Sequence, residues 1–225
     1  MIKLCENNIV VSSNSYAEDN LAWFKEMGYI PMSNHAQAAI NLLVARINNL
    51  QLGIQAELGR PLIDTVSFRV KTLESCIKKL QKKGKDLTPE NLQEYVTDIA
   101  GVRVVTPFED DIYIVADALR NQSGLTVRRT KDYIAEPKES GYASLHLTIE
   151  VEVFFLNEKV TVPVEVQLRD KTMDAWAAIE HICGYKCQSG KKSAKVIELF
   201  KKLARDLTSF RKTAMKLRDL DEKSK

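Results

Sequence analysis

One segment alternates apolar side chains with groups that can do chemistry. Between Val160 and Arg169, valines recur at every second position, and Glu165, Gln167 and Arg169 stand between or after them. Successive side chains of a β-strand point to opposite faces, so the pattern predicts a strand that carries these three groups in one row. An acid, an amide and a guanidinium suit a charged, hydrogen-bonding ligand. A half-buried strand with a merely solvated polar face would show the same alternation.

A second carboxylate lies at a boundary between two predicted elements. Asp98 opens the segment Asp98-Ile-Ala-Gly-Val-Arg103, where a helix is predicted to give way to a strand. A carboxylate beside small residues can hold a magnesium ion that also binds phosphate oxygens, although a surface aspartate at a connection is the simpler alternative. With Glu165, it could share metal binding and base catalysis in a phosphoryl-type transfer.

Cations cluster in a segment that we interpret as one helix over residues 66–83. Three- and four-residue spacing would place Lys71, Ser75, Lys78 and Lys79 on one face of it, with Arg69 close by. Such a face could neutralise a triphosphate, and a solvated helix surface is the alternative.

The loop over residues 131–146 is polar and is punctuated by Pro137 and Gly141. Gly141 would let Tyr142 approach a planar ligand closely, and a tyrosine ring can stack on a nucleobase. His146 then begins the next strand on its polar face. Trp176, on a later helix, is predicted to belong to the core.

The remaining pattern predicts an α+β fold, in which a mixed β-sheet has helices packed on one face and an open polar face that forms the cleft. Helices are expected at 16–27 (ended by residues 28–31), 35–58 (ended by Gly59), 66–83, from the Thr88 cap to about Asp98, 109–121, 172–187 and 193–220. Strands are expected at 101–106, 125–130, 145–155 and 160–168, the last two forming a hairpin.

Bulk properties indicate an ordinary globular chain. It has 225 residues, 44% of them hydrophobic, and a net charge of +3, which is too small to argue for nucleic-acid binding by itself. Neither a membrane-spanning apolar run nor a signal peptide is evident, so a cytoplasmic location is expected. The four cysteines are too few and too scattered for a disulfide framework, and zinc binding by Cys183 and Cys187 near His181 is not expected.

Five segments in register resemble the synthetase domain of RelA/SpoT-type enzymes, in particular the small alarmone synthetases. They are Arg69–Ser75, Asp98–Arg103, Lys131–Ile134, Lys138–His146, and Glu165–Arg169 leading to Met173–His181 and Tyr185-Lys186. The resemblance implies a nucleotidyltransferase-like (p)ppGpp synthetase domain over residues 36–190. Residues 1–35 would form an N-terminal extension, and residues 191–225 a C-terminal helix that could serve oligomerisation.

The resemblance also implies a reaction. Enzymes of this family transfer the β,γ-pyrophosphate of ATP to the ribose 3′-hydroxyl of GDP or GTP, giving (p)ppGpp and AMP. Glu165 and Asp98 resemble the catalytic carboxylates, which also bind Mg²⁺. The residues that resemble the ATP site are Arg69, Lys71, Ser75, Lys79 and Arg103. Those that resemble the acceptor-nucleotide site are Lys131, Tyr142, His146, Gln167, Asp174 and Glu180.

Alternative functions remain at this point. Some toxic relatives that resemble the family pyrophosphorylate the 3′ end of tRNA, and Arg128, Arg129 and the lysines near residue 82 could steer such a polyanion. A non-enzymatic nucleotide-sensing or RNA-binding module on the same fold is a third hypothesis, against which the retention of two carboxylates argues. Ala143, Asp170 and Asp174 depart from residues that are common in the family, which bears on acceptor preference. The resemblance further implies a homotetramer, and the apolar positions of the C-terminal helix could pack on their own domain or on another subunit.

Overall fold

A five-stranded sheet organises the computed structural model, which describes residues 13–155, 157–185 and 193–224. Its strands are β1 (Thr65–Val70), β2 (Ala100–Thr106), β3 (Leu125–Asp132), β4 (Leu145–Phe155) and β5 (Glu158–Asp170). They lie in the order β1-β2-β5-β4-β3; β2 and β5 are parallel and the other neighbours are antiparallel. The predicted mixed sheet and the predicted hairpin are confirmed.

Strict alternation along β4 and β5 separates the two faces of the sheet. Leu147, Ile149, Val164 and Val166 are fully buried, whereas the residues between them are partly accessible. Helices α2 (Ile30–Leu58) and α5 (Glu109–Arg120) cover this apolar face with their own buried residues. The opposite face keeps its polar side chains, as the α+β prediction with an open polar face requires.

The N-terminal helices are longer than predicted. Helix α1 (Ser13–Trp23) continues through a π-helical stretch, Phe24–Tyr29, directly into α2. The prediction that residues 28–31 end a helix is therefore wrong. Gly28 serves packing instead, because a Cβ there would lie 3.3 Å from the Cα of Pro89. The proposed boundary between residues 35 and 36 falls inside α2, which ends at Gly59 as predicted (φ 68°).

The prediction of a single helix over residues 66–83 is also wrong. Its first part is strand β1, and only its second part is helical, as α3 (Leu73–Lys82). Val66 and Val70 alternate with polar residues in β1, which pairs with β2 along its whole length. Thr72 begins α3 by accepting a hydrogen bond from the backbone N–H of Ser75 at 3.3 Å. Lys71 therefore precedes the helix and shares no helical face with Lys79.

Helix α4 (Pro89–Tyr95) begins at the predicted cap, where the Thr88 side chain accepts from the backbone N–H of Asn91. It ends three residues before Asp98, contrary to the expectation that it would reach that residue. Asp98 lies in the turn that connects α4 to β2.

Two helices complete the chain, α6 (Lys171–Tyr185) and α7 (Ala194–Glu222). Ion pairs hold α7 to the start of α5: Arg211 contacts Glu109 at 2.6 Å and Arg218 contacts Asp110 at 2.7 Å. Three residues of the predicted apolar stripe are exposed, namely Leu199, Phe210 and Leu217. Helix α7 thus packs on its own domain through a partly ionic face, and much of its apolar stripe faces outward.

Helix α7 also supports the loop that carries Tyr142. Gly141 has φ 92°, and a Cβ at this position would lie 2.6 Å from the Cβ of Ala204 on α7. Trp176 of α6 is 3% exposed and donates from Nε1 to the backbone carbonyl of Phe200 at 3.1 Å, which confirms its predicted core position. The loop can approach α7 this closely because residue 141 has no side chain.

Some predictions concern residues outside the described ranges. Cys5, Cys187 and Lys186 fall there, as does the end of the helix predicted to reach residue 187. No helix within the described ranges has the length and apolarity needed to cross a membrane.

Substitution of Gly141 by alanine tests the contact between the loop and α7. We expect Gly141→Ala to lower the free energy of unfolding by about 2–4 kcal/mol, because left-handed strain and overpacking add. Gly59→Ala is the matched control: Gly59 has φ 68°, but a Cβ there would meet nothing within 4 Å, so strain alone should cost about 1 kcal/mol. Urea unfolding of both variants measures the difference, and equal losses would contradict the close contact.

Candidate active site

The polar face of the sheet carries two parallel rows of functional side chains. Strand register places five residues side by side in each row. One row runs Arg69, Gly101, Glu165, Thr148, Arg129, and the next runs Ser67, Arg103, Gln167, His146, Lys131. Gly101 occupies the position beside Glu165 and has no side chain, so the row has a gap next to its carboxylate. The strands therefore bring together residues that are far apart in sequence.

Asp98 lies between two lysines at one edge of this face. Its Oδ1 accepts from Lys79 Nζ at 2.7 Å, and its Oδ2 is 3.1 Å from Lys71 Nζ. Lys71 follows β1 and Asp98 precedes β2, so the antiparallel pairing of these strands brings the two residues together. Burial opposes ionisation of the Asp98 carboxyl, but the two lysines outweigh it and lower its pKa below the ordinary value.

Glu165 is held by one donor group at each oxygen. Its Oε1 is 3.2 Å from His146 Nδ1, and its Oε2 accepts from Gln167 Nε2 at 3.3 Å. The hydrogen bond with His146 is the main reason that the pKa of Glu165 is lowered, against the opposing effects of burial and of the Asp98 charge. Glu165 is therefore ionised at neutral pH and able to accept a proton.

Two cavities meet at this pair of carboxylates. One, of about 90 Å³, is lined by Arg69 and Arg103, and the other, of about 220 Å³, by Lys79 and Lys131 among others. Asp98 and Glu165 line both cavities and, in the described part of the chain, are the only residues that the two share. Each cavity combines cations with polar groups, so the arrangement can hold two anionic ligands on either side of one carboxylate pair.

The donor set at this junction suits a hard divalent cation. Mg²⁺ is commonly bound through one or two carboxylates, with ligand phosphates and water completing its coordination. Asp98 and Glu165 supply such oxygens, and a carboxylate oxygen that accepts one hydrogen bond retains a further lone pair. Within the described ranges, no group of three or more His, Cys, Asp or Glu side chains is placed to hold a metal. The site therefore fits a cation shared with a bound phosphate rather than an all-protein metal centre.

Tyr142 lies next to the second cavity, which it reaches through His146. Its hydroxyl is 2.8 Å from His146 Nε2 and accepts from Arg169 at 2.9 Å. Two cationic groups lie over the aromatic ring of Tyr142: Lys138 Nζ is 4.9 Å and Arg169 Cζ is 5.3 Å from the ring centroid. Arg169 also donates to Asp174 at 3.0 Å. The tyrosine is thus oriented by charged neighbours at the rim of the site.

Comparison with known proteins identifies the family. The family model described as "Region found in RelA / SpoT proteins" matches residues 68–190, which is more than half of the chain. The chain belongs to this RelA/SpoT family. The matched region contains both carboxylates and nearly all of the two rows on the polar face.

Curated relatives and solved structures agree with this assignment. The chain is 42% identical over 128 residues to the GTP pyrophosphokinase YwaC of Bacillus subtilis, covering 57% of this chain and 61% of that protein. It is 36% identical over 148 residues to the GTP pyrophosphokinase YjbM of the same organism, covering 66% of this chain and 69% of that protein. The fold matches small alarmone synthetase 1 from Bacillus subtilis bound to its product pppGpp, with a TM-score of 0.74, 30% identity, and coverage of 82% of this chain and 93% of that one.

Most of the predicted site residues in this RelA/SpoT domain come together. The following line one of the two cavities or contact a residue that does: Arg69, Lys71, Lys79, Asp98, Arg103, Lys131, Tyr142, His146, Glu165, Gln167 and Asp174. Ser75 is exposed, and its hydroxyl lies 2.9 Å from that of Thr72. Glu180 is half-buried on α6 and, like Ser75, lines neither cavity in the described part of the chain. The roles assigned to these two residues, like those assigned to the other predicted site residues, stay predictions.

Two features of the site had no specific role in the sequence analysis. Arg169 was placed on the polar face of its strand as one of three groups that suit a charged ligand, without a role of its own. It is only 6% exposed and contacts Tyr142, Gln167 and Asp174. The alternation that placed it beside Gln167 was the available signal. The gap at Gly101 had no sequence signal, because it depends on which residue of β5 lies beside it. Asp170, one of the departures from the family pattern, begins α6 by accepting from the backbone N–H of Met173 at 2.8 Å.

Removal of one lysine tests the charge balance at Asp98. We expect Lys79→Met to raise the pKa of Asp98, because the shorter of its two ion pairs is lost while burial persists. The stabilisation from a depressed carboxyl pKa is present above its unfolded value of about 3.9 and is lost as pH falls through the folded value. In the variant, the loss of folding stability in acid should begin at a higher pH than in the unaltered protein. Carboxyl ¹³C titration of Asp98 measures the pKa directly.

The adjacent lysine provides the matched control. Lys78 is exposed, and its ion pair with Glu74 is long at 3.9 Å. Lys78→Met should therefore leave the Asp98 titration unchanged. Equal shifts in both variants would mean that general surface charge, rather than the direct contact, lowers the pKa.

Proposed function

We propose that this protein transfers the β,γ-pyrophosphate of ATP to the ribose 3′-hydroxyl of GDP or GTP, yielding (p)ppGpp and AMP. The observation that carries the proposal is that two cation-lined cavities share one pair of ionised carboxylates, Asp98 and Glu165. Membership of the RelA/SpoT family supports it, as do two relatives named GTP pyrophosphokinases and a similar fold that binds pppGpp.

The smaller cavity suits the adenosine end of ATP. Arg69 and Arg103 line it from neighbouring strands, and guanidinium planes can stack on a purine. Lys71 and Lys79, which contact Asp98, lie where they can offset the charge of the phosphates. Ser75, on the first turn of α3, would complete the phosphate contacts that the family resemblance implies.

The larger cavity suits the acceptor nucleotide. Lys131 and His146 line it, and Lys131 can pair with a 5′ phosphate group. Tyr142 offers its ring to the guanine at the rim. The other residues that we assign to the acceptor are Gln167, Asp174 and Glu180. In this arrangement the ribose of the acceptor would lie next to Glu165, the residue common to both cavities along with Asp98.

The chemistry follows from the positions of the charged groups. Glu165 accepts the proton of the 3′-hydroxyl, whose oxygen then forms a bond to the β-phosphorus of ATP while the bond between that phosphorus and the α–β bridging oxygen breaks. AMP leaves with the bridging oxygen. Mg²⁺, held by Asp98 and Glu165 together with phosphate oxygens, would supply electrostatic stabilisation of the charge that develops. Lys71 and Lys79 add to that stabilisation from fixed positions, so little reorganisation is needed during the reaction.

A guanosine nucleotide is better supported than tRNA as the acceptor of the pyrophosphoryl group. The two relatives described above are GTP pyrophosphokinases, and no comparison supports the tRNA reaction. Arg128, one of the cations considered for tRNA steering, is engaged with Glu150 at 2.8 Å. We place the proposed reaction in the cytoplasm, where ATP and GTP are available.

An activity assay tests the proposal directly. Purified protein with Mg²⁺ and labelled ATP should release AMP and a 3′-pyrophosphorylated nucleotide with GDP or GTP, but not with tRNA. Glu165→Gln should lower kcat by about 10²- to 10⁴-fold, because it keeps the side-chain size and removes the base. Glu152→Gln, at an exposed residue of β4 paired with Lys159, is the matched control and should retain full activity. Labelling of tRNA instead of GDP or GTP would refute the acceptor assignment.

We also propose that the protein assembles as a homo-oligomer, a tetramer by family resemblance, through the outward face of α7. Leu199, Phe210 and Leu217 are 57%, 64% and 70% exposed, whereas Arg211 and Arg218, each about 100° further around α7, form ion pairs with α5. Exposed apolar residues that recur along one helix face are typical of helix–helix interfaces.

A charge on this face should dissociate the assembly. We expect Phe210→Glu to reduce the mass measured by size-exclusion chromatography with light scattering, because a buried, unpaired carboxylate is costly. Phe154→Glu, at an aromatic residue of β4 that is 75% exposed, is the control and should leave the mass unchanged. If Phe210→Glu has the mass of the unaltered protein, α7 is not the interface.

A further inference from the structure

Five polar side chains around the proposed base form a closed ring of hydrogen bonds. The ring passes from Glu165 to His146 (3.2 Å), Tyr142 (2.8 Å), Arg169 (2.9 Å), Gln167 (3.0 Å) and back to Glu165 (3.3 Å). Each contact joins side-chain atoms, and the five residues come from β4, β5 and the loop before β4. The ring therefore depends on tertiary structure.

Arg169 anchors the histidine side of the ring. An ionised carboxylate can only accept, so His146 donates from Nδ1 to Glu165 Oε1, and Nε2 of the neutral imidazole then accepts from the Tyr142 hydroxyl. A guanidinium can only donate, so the Tyr142 oxygen also accepts from Arg169. Arg169 thus holds the side chain that in turn contacts His146.

Arg169 anchors the glutamine side of the ring as well. Its NH2 atom donates to Gln167 Oε1 at 3.0 Å. The amide nitrogen of Gln167 is then turned toward Glu165 Oε2, to which it donates. Each oxygen of Glu165 thus receives one N–H, and a single guanidinium supports the side chains on both sides.

The guanidinium is itself fixed in place. Arg169 is 6% exposed, and its NH1 atom donates to Asp174 Oδ1 at 3.0 Å. Asp174 is also 3.5 Å from Arg103, which lines the smaller cavity. The ion pair with Asp174 satisfies only the NH1 edge of the buried guanidinium, and burial of an arginine costs free energy unless its other donors are also satisfied. The hydrogen bonds to Tyr142 and Gln167 satisfy the NH2 atom.

We propose that Arg169 is a positioning residue for Glu165: it anchors Tyr142 and Gln167, and through them it holds the two side chains that donate to the carboxylate, one at each oxygen. The catalytic consequence rests on the proposed function. A general base must be held within hydrogen-bond reach of the proton that it accepts, and a displacement of about 1 Å can cost about 10²-fold in rate. The ring holds the carboxylate while each oxygen keeps a lone pair for the reaction.

Crystal structures of the full chain test the proposal without any activity measurement. In the unaltered protein we expect His146 and Gln167 each to lie within hydrogen-bond reach of one Glu165 oxygen, with Arg169 in contact with both Tyr142 and Gln167. A structure in which Arg169 contacts neither Tyr142 nor Gln167 would overturn the proposal.

Two variants should loosen the hold on the carboxylate. Arg169→Lys keeps the charge but offers one ammonium in place of a planar fork, so it cannot hold both Tyr142 and Gln167. We expect its crystal structure to show His146 or Gln167 displaced from Glu165. Tyr142→Phe keeps the aromatic ring and removes only the hydroxyl that joins Arg169 to His146, so it should displace His146 and leave Gln167 in place. Should Arg169→Lys fail to fold, Tyr142→Phe alone decides, and an unmoved His146 in that folded variant counts against the proposal.

Kinetics then separate positioning from substrate binding. We expect Arg169→Lys to lower kcat about tenfold or more while KM for ATP stays within about twofold, since misplacement of the base acts on the chemical step. Arg120→Lys, at a surface ion pair with Asp117 on α5, is the control and should leave both constants unchanged. An unaltered kcat in Arg169→Lys would overturn the catalytic part of the proposal. Absence of pyrophosphoryl transfer by the unaltered protein would instead refute the proposed function, and the structural result for the variants would still stand.

Discussion

Two ionised carboxylates must share one groove, and the rest of the structure accommodates that constraint. Like charges at a partly buried site raise each other's pKa, and the charge of Asp98 does act in this direction on Glu165. Lys71 and Lys79 offset the charge of Asp98, and the hydrogen bond with His146 keeps the Glu165 pKa low. Each acid therefore has its own set of partners, and both stay ionised where the two cavities meet.

The mixed sheet suits this arrangement because it is rigid and because its register is defined. Side chains that face each other in adjacent strands lie about 5 Å apart, so residues of neighbouring strands can contact the same nucleotide. The buried valines and leucines of β4 and β5 determine which face is polar, since a slip of one residue would move Glu165 to the apolar face. Core packing and site geometry thus depend on the same alternation.

The C-terminal helix links the acceptor side of the site to the outside of the molecule. Its inner face meets Gly141 at Ala204 and Trp176 at Phe200, next to the loop that carries Tyr142. Its outer face presents Phe210 to solvent. A change in what covers the outer face would act on a helix that also supports the acceptor loop, so the proposed assembly and the proposed acceptor site are physically connected.

Elements whose signals are local could be predicted from the amino-acid sequence. The alternation of β4 and β5, the Thr88 cap, the end of α2 at Gly59 and the motif order of the family could all be read from neighbouring residues. Residues 65–70 form a strand because of a long-range contact that local spacing does not report: their pairing partner β2 lies about 35 residues further along the chain. The junction of Asp98 with Lys79, the gap at Gly101 and the ring through Arg169 were likewise decided by long-range contacts. Residue spacing along the chain shows periodicity, but it does not show which side chains of different strands are in contact. The chemistry of this site depends on those contacts.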